Sequence, residues 1–165
     1  MKTPLVEMPA VTPAGKFIAR YSEKGLAELN FPPVGRASPR AAKKEIIPAK
    51  IRAWHRLTKA ALKKVLAGRE PKKFPPLDLA GTEFQKSVWN ALRKISPGKT
   101  KSYGEIARAI GKPKAVRAVG GACGANPVPV LVPCHRVLAA NRKLGGFSDG
   151  LDWKRKLLAS EGVKI

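Results

Sequence analysis

The sequence predicts an α+β fold: a small N-terminal α/β domain with antiparallel strands, followed by a mainly helical domain with a winged-helix-like helix-turn-helix. Three observations predict it. Two apolar, strand-like runs flank a glycine turn near the N-terminus. A stripe of apolar residues at helical spacing follows them. Two capping boxes then mark short helices beyond a proline-rich stretch. Residues 1–79 are expected to form the first domain with its linker, and residues 80–165 the second.

The opening residues, MKTPLVEMPAVTPAG, lack the charged-then-apolar layout of a signal peptide, and no element is assigned to them. Lys16 to Phe31 reads as two strands, KFIARYS and LAELNF, around a turn at Glu23-Lys24-Gly25. Phe31 to Pro48 is rich in Pro, Arg and Lys and reads as loop. Ile51, Trp54, Ala61, Leu62 and Val65 then recur at helical spacing, and Gly68 suits the end of that helix. Glu70 to Leu79 looks like a linker stiffened by three prolines.

Beyond it, Thr82-Glu83-Phe84-Gln85 is a capping box: the threonine hydroxyl accepts from the third helical N–H and the glutamine reaches back. Phe84, Val88, Leu92 and Ile95 form the apolar stripe of that helix. Ser102-Tyr103-Gly104-Glu105 is a second box, opening a short helix through Ile110. Gly111 can stop this helix in a left-handed conformation, and Pro113 can open the next at its first turn. The next helix, KAVRAVGGACGAN, ends at Asn126-Pro127. Two short helices around a three-residue turn give the helix-turn-helix outline.

Composition narrows the function classes. The 33 basic and 11 acidic residues leave a formal net charge of +22, a field that draws in polyanions such as nucleic acid. The two halves, residues 1–80 and 81–165, carry +11 each, so charge alone does not say which half meets the partner. The apolar runs are short and broken by proline, so no membrane span is expected. Two cysteines make no disulfide framework, which favours a reducing compartment, cytoplasmic or, in a eukaryote, nuclear.

Two features carry possible chemistry. The second helix of the pair is unusually small-sided, with Ala115, Ala118, Gly120, Gly121, Ala122 and Gly124, at a cost in helix stability. Small residues permit close approach, either of a neighbouring helix or of a DNA groove, and Arg117 is the one long cation amid them. The second feature is NPVPVLVPCHRV, Asn126 to Val137, where a β-branched run delivers Cys134 followed by His135. A neighbouring imidazole can make a thiol nucleophilic, but adjacent residues of a strand face opposite ways, so direct contact needs a turn after Pro133. A buried core thiol and a core histidine fit the pair as well.

The segment PCHRV, Pro133 to Val137, resembles the active-site signature of the O6-alkylguanine-DNA alkyltransferase family. GTEFQKSVWNAL (Gly81 to Leu92), SYGEIA (Ser102 to Ala107), KAVRAVGGACGANPVPVLVPCHRV (Lys114 to Val137) and LLASEG (Leu157 to Gly162) resemble it too, in order and at its spacing. The resemblance implies stoichiometric, self-inactivating transfer of an alkyl group from O6-alkylguanine, and from O4-alkylthymine, in double-stranded DNA to Cys134. It implies that His135 takes the thiol proton through a water and that Glu161 holds the imidazole. Tyr103 serves the departing base, and Asn126 shapes the turn behind the active site. Arg117 fills the stack that the flipped nucleotide leaves, while Ala118 and Gly121 belong to the groove-facing helix beside Tyr103. Val137, Ser148 and Phe147 would line the substrate pocket. A monomer without cofactor or metal is implied.

Phe147 stands where the family commonly has tyrosine, and Asp149 where it often has a small residue. Cys123 reads as a packing residue, and Cys123, Cys134, His135 and His55 lack the paired spacings of a zinc site. Trp54, Trp89 and Trp153 sit in apolar helical stripes and read as core. The alternatives are a non-catalytic protein that binds alkylated DNA, against which Cys134 itself counts, a helix-turn-helix regulator, and a thiol hydrolase.

Overall fold

In the computed structural model, which describes residues 4–33 and 46–165, three strands form an antiparallel sheet in chain order. They are β1 (Val6–Thr12), β2 (Gly15–Tyr21) and β3 (Leu26–Asn30). The last two match the runs read from the sequence; β1 was not expected. Its Pro9 withdraws a ladder donor, which an edge strand tolerates, and the register runs from Val6 opposite Tyr21 to Thr12 opposite Gly15. One face of the sheet buries Ala10, Phe17, Ala19, Tyr21 and Leu29. Most of the loop expected from Phe31 to Pro48 lies outside the described residues.

Helix α1 (Ala49–Leu66) packs on β1 and buries Ile51, His55, Thr58, Ala61, Leu62 and Val65. Gly68 closes it at φ +76°, where a Cβ would collide with the Ser160 carbonyl. The stretch from Glu70 to Leu79 is docked rather than a free linker. Leu26 N donates to the Pro76 carbonyl at 2.8 Å, and Asp78 N donates to the Leu26 carbonyl at 2.9 Å. Prolines cannot donate, but their carbonyls accept, so an extended proline-rich segment can still line a sheet edge. Pro71 and Pro75 are buried.

Both capping boxes form. At α2 (Glu83–Leu92), Gln85 N donates to Thr82 Oγ1 at 3.1 Å and Thr82 N to Gln85 Oε1 at 3.0 Å. At α3 (Tyr103–Ala109), Glu105 N donates to Ser102 Oγ at 3.0 Å. Such a cap contributes about 1 kcal/mol. Helix α4 (Val116–Gly124) starts later than Pro113 suggested. Lys112 N bonds back to the Ala107 carbonyl at 2.9 Å, and Ala115 N bonds to the Lys112 carbonyl at 2.9 Å, so Pro113 and Lys114 form a turn of their own. The connection is therefore longer than the three residues read from the sequence.

Strand β4 (Lys101–Ser102) pairs in parallel with β5 (Val137–Leu138), and α5 (Leu151–Ser160) follows. One apolar cluster runs through both halves of the chain. Phe31 meets Trp153 with ring centroids 4.8 Å apart, and Leu29 N donates to the Pro127 carbonyl at 2.9 Å. Among the described residues, no helix is long and apolar enough to cross a membrane.

Candidate active site

The apolar run Val128–Val132 is a tight turn, not the strand its β-branched residues suggested. Val130 takes φ +74°, a conformation strained for a β-branched residue and kept only where the surroundings fix it. Asn126 does the fixing: its Nδ2 donates to the Val132 carbonyl at 2.8 Å, and its Oδ1 accepts from Val128 N at 3.0 Å. Pro133 then leads into a single 3-10 turn, Cys134–Arg136. Cys134 is 7% exposed. Burial pushes its thiol up to about 11, against a hydrogen bond from Asn126 and the nearby charge of Lys154. The resting thiol therefore holds its proton at neutral pH.

His135 is fully buried, with Nε2 at 2.9 Å from Glu161 Oε1. An ionised carboxylate only accepts, so Nε2 carries the proton and Nδ1 presents a lone pair. That Nδ1 is buried without a partner among the described residues. Burial pushes the imidazole down, and Glu161 pulls it back up.

Glu161 is itself gripped by Arg136, whose Nε lies 3.0 Å from both oxygens and whose Nη2 lies 2.7 Å from Oε1. Burial would raise the carboxyl, but hydrogen bonds from His135 and Arg136, and then their charge, hold it down at about 2. Arg136 also donates to the Ile95 carbonyl at 2.6 Å. The sequence reading passed over Arg136, although a cation inside an apolar stretch was the available signal.

A cavity of about 610 Å³ opens onto Cys134. Tyr103, Arg117, Asn126, Phe147 and Ser148 line it, together with Cys123 and Asp149. Tyr103 lies against Gly145 (φ +70°), where a Cβ would press on its hydroxyl. Burial pushes that hydroxyl up, so it keeps its proton and can donate. Ser148 Oγ donates to the Gly124 carbonyl at 2.9 Å, tying the loop to the end of α4. Phe147 packs edge-on against Phe31 at 5.8 Å, so the residue that follows β3 supports the pocket wall.

Other expected residues lie elsewhere. Val137 is fully buried and outside the cavity lining, its carbonyl accepting from Lys154 Nζ at 2.8 Å. His135 and Glu161 form a buried pair that does not line the cavity. Lys154, which the sequence did not single out, is fully buried, also reaches the Gly146 carbonyl at 3.3 Å, and has no carboxylate within salt-bridge distance among the described residues. Nothing local distinguishes it from its solvated neighbours Arg155 and Lys156. No three His, Cys, Asp or Glu among the described residues group as metal ligands.

Helix α4 buries Val119, Ala122 and Cys123 against α2 and α3, and Trp89 Nε1 donates to the Ala122 carbonyl at 2.8 Å. Arg117, Ala118 and Gly121 are exposed. A Cβ at Gly120 or Gly121 would meet nothing within 4 Å. Internal packing therefore does not require glycine at either position.

Residues 83–163 match the family model described as 6-O-methylguanine DNA methyltransferase, DNA binding domain. A methylated-DNA–protein-cysteine methyltransferase of Methanosarcina acetivorans is 44% identical over 155 residues, covering 92% of this chain and 94% of that protein. A crystal structure of Mycobacterium tuberculosis O6-methylguanine methyltransferase is similar with a TM-score of 0.72 at 34% identity, covering 95% of this chain and 92% of that one. The structure of Mycobacterium tuberculosis OGT in complex with DNA gives 0.70 at 36% identity, covering 93% and 90%.

Proposed function

The chain belongs to the methylated-DNA–protein-cysteine methyltransferase family, and from that premise we propose that it repairs O6-alkylguanine in duplex DNA by moving the alkyl group to Cys134, once per molecule. The observation that carries this reading is Cys134 at the cavity wall, followed in the chain by an imidazole whose far side is held by ionised Glu161.

Helices α3 and α4 act as the helix-turn-helix, with Ala118 and Gly121 allowing the backbone of α4 close to the floor of the minor groove. Arg117, exposed at the cavity rim, occupies the stack vacated by the damaged nucleotide. Extrusion costs a few kcal/mol, less for a weakened pair, so the lesion favours its own removal from the helix. The cavity has the size range of small-ligand pockets and takes the flipped base.

The thiol proton passes through a water to His135 Nδ1, and Glu161 stabilises the imidazolium. Sulfur then attacks the alkyl carbon in line. The S–C bond forms as the C–O6 bond breaks, its electron pair leaves with guanine, and the Tyr103 hydroxyl offsets the developing charge. O4-alkylthymine presents its alkyl carbon on a comparable exocyclic oxygen and is a second substrate. The product thioether has no leaving group for another thiol, so the protein is spent.

Residues 80–165 hold the DNA-binding and reacting groups, while residues 1–79 brace them through Phe31 against Phe147 and Trp153. The reaction needs a free thiol, so the working compartment is reducing. It needs no second subunit.

The deciding experiment is intact-mass and peptide-mass analysis after incubation with a duplex containing O6-methylguanine. A gain of one CH₂ on the Cys134 peptide, matched mole for mole by restored guanine, is the expected result. Tight lesion-selective binding with an unchanged mass would make the protein a lesion binder instead.

A further inference from the structure

Helix α1 carries six cations, and four of them stand in a row. Arg52, Arg56, Lys59 and Lys63 stand at i, i+4, i+7 and i+11, so the helical repeat places them within about 60° of one another. At 1.5 Å per residue the row is about 16 Å long. Arg52, Arg56 and Lys63 are exposed and Lys59 partly so, while the buried residues of α1 occupy a separate arc.

The helix contains no acidic residue, and among the described residues no carboxylate lies within salt-bridge distance of these four. Other cations do have carboxylate partners, as Lys101 has Glu105 and Arg155 has Asp152. Like charges three and four residues apart repel and weaken their helix. A partner bearing its own row of negative charge offsets that repulsion. Duplex DNA carries one such charge per about 1.7 Å of its axis, dense enough to face the whole row.

The row is separate from the reacting centre. None of its residues lines the cavity; α1 packs on β1 and α5, whereas α4 packs on α2 and α3. We propose that the outer face of α1 binds the phosphate backbone of a second stretch of duplex DNA, so that one molecule holds two duplex segments at once. The contact is to phosphate and so reads charge and spacing, not sequence. It would keep the protein tethered to neighbouring DNA while the α3–α4 face engages a damaged site.

The test compares three full-length proteins: the natural sequence, R52Q/R56Q/K59Q/K63Q, and a control without four other exposed cations, K16Q/K24Q/K72Q/K73Q. Alkyl transfer from free O6-benzylguanine, which involves no DNA, stays unchanged in all three and shows that they are folded. Two short undamaged duplexes, one with a donor dye and one with an acceptor, are then mixed with each protein at low salt. The natural sequence and the control bring the dyes together, and the α1 variant loses the signal. Binding of the second duplex weakens about a hundredfold from 50 to 200 mM salt, as expected for four neutralised phosphates. Failure of the natural protein to join two duplexes overturns the proposal. Equal loss in both variants overturns it too, since net charge alone would then explain the effect.

Discussion

Two histidines are buried in this protein, and burial pushes both imidazoles down, yet their surroundings differ in kind. In the N-terminal half, His55 has both ring nitrogens answered by neutral groups. Its Nε2 donates to the Pro9 carbonyl at 2.8 Å, and Nδ1 lies 2.7 Å from the Tyr21 hydroxyl. That hydroxyl also lies 2.8 Å from Thr58 Oγ1, so its single proton goes to Nδ1 or to Thr58, and Thr58 Oγ1 lies 3.0 Å from the Trp54 carbonyl. In the C-terminal half, His135 meets an ionised carboxylate on one side and, among the described residues, no hydrogen-bond partner on the other. A network of neutral groups joins sheet to helix and has no charge ready to receive a proton. An imidazole held against Glu161 has that charge in place. Burial and a lowered pKa therefore do not tell the two histidines apart; the charge of the partner and the open lone pair do.

The most severe way to break this comparison leaves both histidines intact and removes the thiol that His135 is proposed to serve. Cys134→Ser abolishes transfer, because an alcohol is a far poorer nucleophile at neutral pH, while binding to alkylated duplex persists. Intact-mass analysis and a gel-shift titration read the two halves of that statement. An adduct on the variant would take Cys134 out of its role, and the His135–Glu161 pair with it.

Next in size is the exchange of partners. Glu161→Gln removes the charge that stabilises the imidazolium and slows single-turnover transfer by about 10²–10⁴-fold, the usual range for general acid–base assistance. It also leaves Arg136 buried without its anion, a loss of about 3–5 kcal/mol in stability. His55→Gln costs about 1–3 kcal/mol by opening the Tyr21–Thr58 network, yet leaves the rate per folded molecule unchanged. Rates normalised to active protein, with denaturant midpoints alongside, separate the two. A comparable slowing in His55→Gln would end the distinction between scaffold and relay.

How much of this was legible from sequence depends on how local each signal is. The capping boxes at Thr82 and Ser102 are written within four residues, and both form. The stripe of α1 is a periodic pattern and was equally readable. Strand β1 was not, because Pro9 spoils a strand pattern wherever the edge position is unknown. The docking of residues 70–79 depends on Leu26, some fifty positions away. Val128–Val132 read as extended because valine favours strands; the left-handed Val130 is imposed from outside by Asn126. At the candidate site, Cys134 and His135 stood out as a pair, whereas Glu161 came only with the family resemblance. Arg136 and Lys154 escaped notice because the groups that make their burial tolerable lie far along the chain.

Acid titration sharpens the contrast further. Glu161 sits at about 2 in the fold against an ordinary 4.5, so its ionised form stabilises the protein above about pH 4.5. That contribution, on the order of 3 kcal/mol, is lost as pH falls from about 4.5 through about 2. Both histidines are also depressed, so the unfolded chain takes up their protons first and stability already declines below about 6.5. In denaturant midpoints measured across that range, Glu161→Gln flattens the lower limb and His55→Gln trims the upper one. Identical profiles for the natural protein and Glu161→Gln would mean that the carboxylate carries no special stabilisation.

Lys154 lies between the two histidine cases and gives the finest test. Like His55 it bonds neutral groups, the carbonyls of Val137 and Gly146; unlike His55, its charge bears on Cys134. If the field matters, Lys154→Met raises the thiol further and slows its reaction at neutral pH about tenfold, the equivalent of one pKa unit. The check is the pH profile of Cys134 alkylation by a small soluble electrophile, which moves to higher pH in the variant. Truncation of a mere structural tie would lower the denaturant midpoint and leave that profile where it was. A shifted profile instead assigns the buried ammonium to the chemistry of the thiol, and shows that one charge can serve a reactive group through neutral hydrogen-bond partners.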